Sequence, residues 1–364
     1  MTMGRRPTSF DIAQLAGVSQ PTVSRALRGS KSVNAQTRQR IEAIARSLHY
    51  AVDKHASSLR SQSANTLALL FFEEPAEDES TINPFFLSML GSITHACARA
   101  GYDLLISFQQ LSGDWHVDYQ DSRKADGIIL LGYGDYEAYR ARLDHLTEQG
   151  TKVVRWGAVG TGPAGITVGS DNRGGGEAAT AHLIARGRRR IAFLGAADGR
   201  YPELEDRYRG YLDALAAAGL TADAALQVDA ITTEDAGQDA IAELARRGAD
   251  YDAIFAASDS IAIGAMRALA AAGRPIPDDV AIVGFDDIAS AQLTNPPLTT
   301  VTQDARRAGE ALVRTLLAKL RGEVSDDSPL PTRLVIRASS GAWPSTILPR
   351  QGEVAGVSLT EGAA

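Results

Sequence analysis

Residues 8 to 27 constrain the fold of this 364-residue chain most, because helix-start and helix-stop signals follow one another there at short spacing. Thr8, with Asp11 three residues later, has the capping-box pattern that begins a helix, and Gly17 suits the left-handed residue that ends one. Ser19 is placed to cap a second helix. Two short helices joined by a tight turn are typical of a helix-turn-helix motif, which binds DNA.

A third helix is predicted after Asn34, which is placed to cap it. Apolar residues at helical spacing are expected to give the three helices one shared core: Ile12, Leu15, Ala16, Val18, Val23, Ala26, Leu27, Ile41, Ile44, Ala45 and Leu48. The outer side of the second helix is left with polar residues and Pro21. Side chains of this kind contact base edges and phosphates, so the second helix is predicted to read the DNA.

The charge of the chain is divided unevenly along its length. Residues 1–60 hold ten Lys or Arg and three Asp or Glu, which leaves 27 basic and 41 acidic residues of the totals of 37 and 44. The net charge of −7 therefore combines a basic head with an acidic remainder. Attraction to DNA phosphates is expected in the head alone.

The head resembles the N-terminal domain of the LacI/GalR transcriptional regulators. The resemblance rests on Asp11-Ile12-Ala13, Ala16-Gly17-Val18-Ser19, Thr22-Val23-Ser24-Arg25, Val33, Thr37-Arg38, Ile41, Ile44-Ala45, Leu48 and Tyr50. It implies that residues 1–50 are a DNA-binding domain in which Gln20, Pro21 and Arg25 read bases. It also implies phosphate contacts by Thr8, Ser19, Thr22, Ser24, Asn34 and Thr37. Arg25 suits a bidentate contact with guanine, whereas Pro21 offers only apolar contact.

Residues 51–65 are polar and rich in serine, and their composition is that of a linker. In the LacI/GalR family this place holds a hinge helix that wedges a leucine into the minor groove, and Ala56 and Leu59 match it. The family usually has proline where this chain has Val52. A flexible tether with Leu59 merely exposed is the alternative.

From Thr66 onward, short apolar runs alternate with amphipathic stretches, which predicts parallel sheets with helices on both faces. The first series of strands is predicted at 67–72, 104–108, 127–131 and 152–156, and the second at 166–168, 191–194, 225–228, 253–256 and 280–283. Two series predict two doubly wound α/β subdomains.

The core, residues 66–343, resembles the type I periplasmic binding proteins. The resemblance implies a subdomain of about 66–162 and 292–325 and another of about 163–291 and 326–343. Residues 344–364 have no apolar periodicity and are expected to be a disordered tail. No leucine-heptad tetramerisation helix is found there, so a homodimer is expected.

The same resemblance places an effector site beyond the carboxyl ends of the strands. The implied contacts are Phe85, Trp156, Asp171, Arg207, Ser258, Asp286 and Gln303. Guanidinium, carboxylate and amide groups pair well with vicinal hydroxyls, and an aromatic face covers the apolar side of a sugar. A carbohydrate effector is therefore favoured, and a purine or sugar-phosphate corepressor is the alternative. Whether the effector releases the operator or strengthens its binding stays open.

Several of these residues also have ordinary structural explanations. Arg207 and Asp286 could form a structural ion pair or an interdomain latch, Trp156 could belong to the core, and Asp171 could only cap the following helix.

Other classes of protein fit the sequence less well. A solute-binding protein would need a signal peptide and no basic head, and an enzyme would need a set of catalytic residues. The six histidines are scattered, and neither an HExxH pair nor a GxSxG elbow occurs, so catalysis, metal and cofactor are not expected. Cys97 is the only cysteine, and no apolar run is long enough for a membrane span. A cytoplasmic transcriptional repressor that binds a palindromic operator as a dimer is therefore expected.

Overall fold

A computed structural model describes residues 7–27, 29–30, 32–48, 50, 63–71, 82–108, 114–132, 134–161, 166–324 and 328–341. Contacts divide the chain into a unit of residues 1–65 and a unit of residues 66–364. Within the described ranges, no helix is both long and apolar enough to cross a lipid bilayer. The proposed wedge residues Ala56 and Leu59, like the tail at 344–364, lie outside the described residues.

The first unit contains three helices, α1 (Ser9–Ala16), α2 (Gln20–Leu27) and α3 (Ala35–Ser47). The caps predicted at Thr8, Gly17 and Asn34 are confirmed. The Thr8 and Asp11 pair forms a complete capping box, Gly17 has φ 62°, and Asn34 Oδ1 accepts the Thr37 N–H at 2.7 Å. Ile12, Val23 and Ile41, one from each helix, are each 0% exposed and make the centre of a small core.

The inward position predicted for Leu15 is wrong, because its side chain is 62% exposed. Ile12, Ala13 and Ala16 define the buried face of α1. At 100° per residue, Leu15 projects about 100° away from the centre of that face. The remaining predicted core positions are buried or partly buried against this cluster.

The second unit begins with a five-stranded parallel sheet in the order β2-β1-β3-β4-β5. Its strands are β1 (Thr66–Phe71), β2 (Asp103–Phe108), β3 (Gly127–Leu131), β4 (Val153–Trp156) and β5 (Thr167–Val168). Helices α4 (Pro84–Ala100) and α5 (Tyr136–Glu148) alternate with them, and a π-helix is formed by His116–Asp121. We call this sheet and its helices the first subdomain.

A second sheet has the order β11-β10-β9-β8-β6-β7 and is parallel except for β11. Its strands are β6 (Ile191–Leu194), β7 (Gln227–Val228), β8 (Ala253–Ala256), β9 (Ala281–Asp286), β10 (Thr299–Gln303) and β11 (Thr332–Val335). Helices α6 (Asn172–Ala185), α7 (Pro202–Ala217), α8 (Glu234–Arg246) and α9 (Asp259–Ala271) accompany it. We call these elements the second subdomain. Short 3-10 turns at Ala224–Leu226, Ala289–Gln292 and Ala338–Ser340 complete it.

The chain passes between the two subdomains three times, and two expected boundaries need correction. The sequence pattern predicts residues 166–168 in the second series of strands, but β5 pairs with β4 of the first sheet. The return to the first subdomain was expected at residue 292, yet β10 pairs with β9, and only α10 (Ala305–Leu320) packs back on α4 and β4. Ser92 Oγ donates to the Arg306 carbonyl at 2.6 Å in that contact.

The cysteine has the buried setting expected from its sequence position. Cys97 lies on α4, is 1% exposed, and burial raises the pKa of its thiol to about 11. A thiol with so high a pKa is almost wholly protonated at neutral pH and therefore a poor nucleophile.

Close packing of α6 against α7 depends on two glycines. A Cβ on Gly176 would lie 2.3 Å from the Arg207 carbonyl oxygen, and a Cβ on Gly210 would lie 2.0 Å from the Arg173 carbonyl oxygen. Both obstructing atoms belong to the backbone, which cannot move aside as a flexible side chain can. The two helices therefore form one rigid unit.

We expect Gly210→Ala to lower the free energy of unfolding by about 1 to 3 kcal/mol, because the added methyl forces the two helices apart. Gly91→Ala on α4 is the matched control, since a Cβ there meets nothing within 4 Å. That control should stabilise the protein by roughly 0.5 to 1 kcal/mol, the usual gain in a helix interior. Urea unfolding of both variants measures the difference, and equal midpoints would contradict the packing argument.

Candidate functional site

Arg207 on α7 is 0% exposed and holds together several elements of the second subdomain. Its Nε donates to Asn172 Oδ1 at 2.9 Å and its Nη1 to the Ala257 carbonyl at 2.5 Å. The guanidinium carbon lies 3.8 Å from the centre of the Phe285 ring. A buried cation is tolerated only when its donors are used, and these two bonds engage Nε and Nη1 with partners in the second subdomain.

Asp286 ends β9 beside this guanidinium. Its Oδ1 lies 3.6 Å from Arg207 Nη1 and accepts a hydrogen bond from Gln303 Nε2 at 2.6 Å. The backbone of Asp286 has φ 115° and that of the following Asp287 has φ 57°. Residues other than glycine rarely have a positive φ. Such strain persists only where surrounding contacts hold it, and it is common at binding sites.

Asp259, next to the predicted site residue Ser258, is a second buried carboxyl close to Asp286. It accepts the Thr300 hydroxyl at 2.6 Å and the Ile288 N–H at 2.9 Å. Burial, and then the charge of Asp286, raises the pKa of Asp259 well above its ordinary value. Asp259 therefore helps to hold β9 and β10, whereas Asp286 presents the carboxylate at the strand ends.

The aromatic pair lies at the carboxyl end of the first sheet. Trp156 is the last residue of β4, and its ring centre is 5.8 Å from that of Phe85 at the start of α4. Protein atoms cover both almost completely, with exposures of 2% and 1%. They belong to the main hydrophobic core as well as to the predicted site.

The two remaining effector candidates act as helix caps. Ser258 is fully buried and its hydroxyl accepts the Ile261 N–H at 3.3 Å, which begins α9. Asp171 is exposed and accepts the Gly174 N–H at 2.9 Å, which begins α6. The structure thus gathers Arg207, Asp286 and Gln303 into one cluster, and it gives Asp171 the capping role that the sequence had offered as an alternative.

Several buried polar atoms at the strand ends have no hydrogen-bond partner among the described residues. They are Asn83 Nδ2 before α4, Thr232 Oγ1 after β7 and Gln303 Oε1 at the end of β10. Their residues are 5%, 3% and 3% exposed. Leaving such a group unpaired costs about 1 to 3 kcal/mol, so atoms of this kind mark places where a polar ligand is expected.

Sequence reasoning did not select Asn172, Asn83 or Thr232 as site residues. Asn172 orients the Arg207 guanidinium, and the other two supply unpaired polar atoms. Asn172 and Thr232 lie shortly after predicted strands, a place that many loop residues share, whereas Asn83 is well separated from the predicted strand at 67–72 and carries no such signal.

The outer face of α2 in the first unit has the predicted polar character. Arg25 and Pro21 are exposed, whereas the Gln20 amide donates to the Ser9 hydroxyl at 3.1 Å. Among the proposed phosphate contacts, Thr8 and Asn34 already cap helices, and the Ser19 and Thr22 hydroxyls lie 2.9 Å apart. Ser24 and Thr37 are partly buried.

Both units of the chain match models of known protein families. Residues 10–53 match the model described as bacterial regulatory proteins, lacI family, and residues 180–340 match that of a periplasmic binding protein-like domain. The first match covers the three helices of the first unit almost completely. The second covers most of the second subdomain together with α10.

Relatives match nearly the whole chain. The transcriptional regulator CelR of Thermobifida fusca is 34% identical over 345 residues, which cover 92% of this chain and 97% of the relative. GalR of Escherichia coli is 29% identical, with coverage of 89% and 91%. A solved complex of the regulator CelR with cellobiose superposes with a TM-score of 0.68 at 32% identity, covering 92% of this chain and all of that one.

A lac repressor dimer bound to its operator and an anti-inducer superposes with a TM-score of 0.79 at 24% identity, covering 93% of this chain and 100% of that one, which supports the fold alone. The described helices and the two sheets agree with this architecture. The chain therefore belongs to the LacI family of DNA-binding transcriptional regulators.

Proposed function

We propose that this protein is a dimeric repressor whose affinity for a palindromic operator changes when a small carbohydrate binds between the subdomains. The observation that carries the proposal is the buried set of Arg207, Asp286 and Gln303 at the carboxyl ends of the second sheet. Ser258 lies at the same end of the second sheet, and Phe85 and Trp156 lie at the carboxyl end of the first sheet. We propose that the site lies within residues 66–343 and that residues 1–50 bind the operator.

The chemistry of this set favours a ligand with several hydroxyl groups. The ionised carboxylate of Asp286 accepts hydrogen bonds, Asn83 Nδ2 is a donor, and the Thr232 hydroxyl can do both. Neighbouring hydroxyls of one sugar can satisfy such alternating donors and acceptors. The solved complex of the relative CelR contains cellobiose, which makes cellobiose the first sugar to test.

A purine corepressor is the second candidate, because the pair of Phe85 and Trp156 offers aromatic surface. Both rings are covered by protein, however, which favours a ligand held by hydrogen bonds over one held by stacking. A thermal-shift panel of sugars, sugar phosphates and purines separates the two. Cellobiose or another sugar should stabilise the protein and alter operator binding, whereas stabilisation by a purine alone would overturn the carbohydrate assignment.

We propose that this protein acts in the cytoplasm, where its DNA target lies.

Strand β2 is the surface that we propose for the dimer. It is an edge strand that pairs only with β1, so one of its hydrogen-bonding sides has no strand beside it within the described part of the second unit. Leu105, Ile106 and Phe108 on this strand are 37%, 47% and 41% exposed. Exposed apolar residues on an open sheet edge are typical of a surface that another protein covers.

Arg25→Ala should relax the preference of the protein for its operator, because an arginine that contacts guanine carries sequence information. We expect a loss of about 1 to 3 kcal/mol on the selected operator and little change on unrelated duplexes. Binding to duplexes selected from a random pool measures both. Arg40→Ala on α3 is the control for lost charge, and an equal loss on all sequences after Arg25→Ala would assign Arg25 to phosphate.

Asp286→Asn should weaken cellobiose binding by roughly tenfold or more, because it replaces a charged acceptor of hydroxyl protons with a neutral amide of the same shape. Isothermal titration calorimetry gives the two affinities. Asp279→Asn is the control, since Asp279 forms an exposed pair with Arg274 at 2.6 Å. Equal affinities of Asp286→Asn and the unmodified protein would remove Asp286 from the site.

Ile106→Asp should convert the dimer to a monomer of 38.5 kDa, because two-fold symmetry places the added charge in the interface twice. Light scattering after gel filtration measures the mass. Val117→Asp is the matched control, since Val117 is 49% exposed on the π-helix and not on β2. An unchanged dimer after Ile106→Asp would exclude β2 from the interface.

A further inference from the structure

Glu203 is a buried carboxylate whose hydrogen bond joins the two subdomains. It lies in the first turn of α7, in the second subdomain, and is 5% exposed. Its Oε1 accepts the N–H of Ala158 at 3.1 Å, and Ala158 follows β4 of the first subdomain. The positive end of the helix dipole favours a carboxylate in this turn, but the cost of burial remains unless further polar groups face it.

Arg155 shapes the first-subdomain side of this contact. Its guanidinium is almost fully buried, donating from Nε to the Thr167 hydroxyl at 3.0 Å and from Nη2 to the Thr161 carbonyl at 3.2 Å. These bonds hold the turn that follows β4, where the Ala158 amide lies. The arrangement gives the Glu203 carboxylate a fixed hydrogen-bond donor and a nearby positive charge.

The absence of a side chain at Gly157 leaves space for both the Arg155 guanidinium and the Glu203 carboxylate. A Cβ at Gly157 would lie 2.5 Å from Arg155 Nη1 and 3.1 Å from Glu203 Oε1. Any larger residue would therefore push both groups away. Burial, and then the nearby Glu203 side chain, raise the pKa of Tyr139 on α5.

A second backbone contact crosses the same junction. The N–H of Tyr136, at the start of α5, donates to the Arg200 carbonyl at 2.8 Å, just before α7. The Tyr136 amide thus reports whether the two subdomains stay together without being a partner of Glu203 itself.

Glu203 and Arg207 are one turn apart on a single helix face, and the glycine contacts between α6 and α7 keep that helix rigid. We propose that Glu203 is a positioning residue: its carboxylate ties the helix carrying Arg207 to the first subdomain and thereby favours closure of the two subdomains. Arg207 and the junction then move as one body. This role requires neither a particular effector nor DNA, so its test is independent of the proposed function.

Hydrogen exchange of the full-length protein, without effector, tests this role at the Tyr136 amide. Glu203→Ala should speed exchange there about tenfold, the effect of losing a charge-assisted hydrogen bond. Glu203→Gln keeps an acceptor oxygen and should give a smaller increase. Glu205→Gln is the matched control, because Glu205 lies in the same turn but pairs with Arg209 at 2.6 Å on the surface. It should leave the exchange unchanged.

Faster exchange at Ala158 alone, with Tyr136 unchanged in Glu203→Ala, would show a local contact and overturn the proposal. Gly157→Ala provides a second route if Glu203→Ala does not fold. Its methyl would separate the guanidinium from the carboxylate, so the Tyr136 amide should again exchange several-fold faster. Unchanged exchange at Tyr136 in Gly157→Ala would likewise overturn the role of the junction.

Discussion

The buried charge of Arg207 is the constraint on which the second subdomain depends. A guanidinium removed from water is stable only when protein groups replace its hydration, and removing one partner of a buried charge costs about 3 to 5 kcal/mol. Here the partners come from the start of α6, the end of β8 and the end of β9. Elements far apart in sequence are thus held in register by one side chain.

The glycines of α6 follow from the same constraint. A Cβ on Gly175 would lie 2.7 Å from the Phe285 ring, and one on Gly176 would meet the backbone of Arg207. The run of Gly174, Gly175 and Gly176 has some likeness to a phosphate-binding loop in sequence, but its function in the fold is close packing. The Phe285 ring can therefore approach the Arg207 guanidinium, whose carbon lies 3.8 Å from the ring centre, and it helps to bury the charge.

Local patterns predicted most of the elements, whereas pairing between distant segments was harder to foresee. The caps at Thr8 and Asn34 depend on residues three positions away, and both were predicted correctly. The two residues of β5 are too few for their apolar pattern to predict which sheet the strand joins, and the sequence of β10 is compatible with pairing in either sheet. The binding residues show the same limit, because the bond from Arg207 to Asn172 joins positions 35 residues apart. A family resemblance could select Arg207, but no spacing rule selects its partner.

Helix α7 makes the geometry of the core suitable for a switch. A ligand shifts a conformational equilibrium only by the difference between its affinities for the two states. An effector that contacts both Arg207 and groups of the first subdomain, such as the Asn83 amide, has a higher affinity for the closed state than for the open one. The reason is that only the closed state brings the polar groups of the two subdomains to the same ligand. The contact of Glu203 with Ala158 lowers the cost of reaching that arrangement before any ligand binds. Its strength should be moderate, because a junction that closed the subdomains completely would leave the effector no equilibrium to shift.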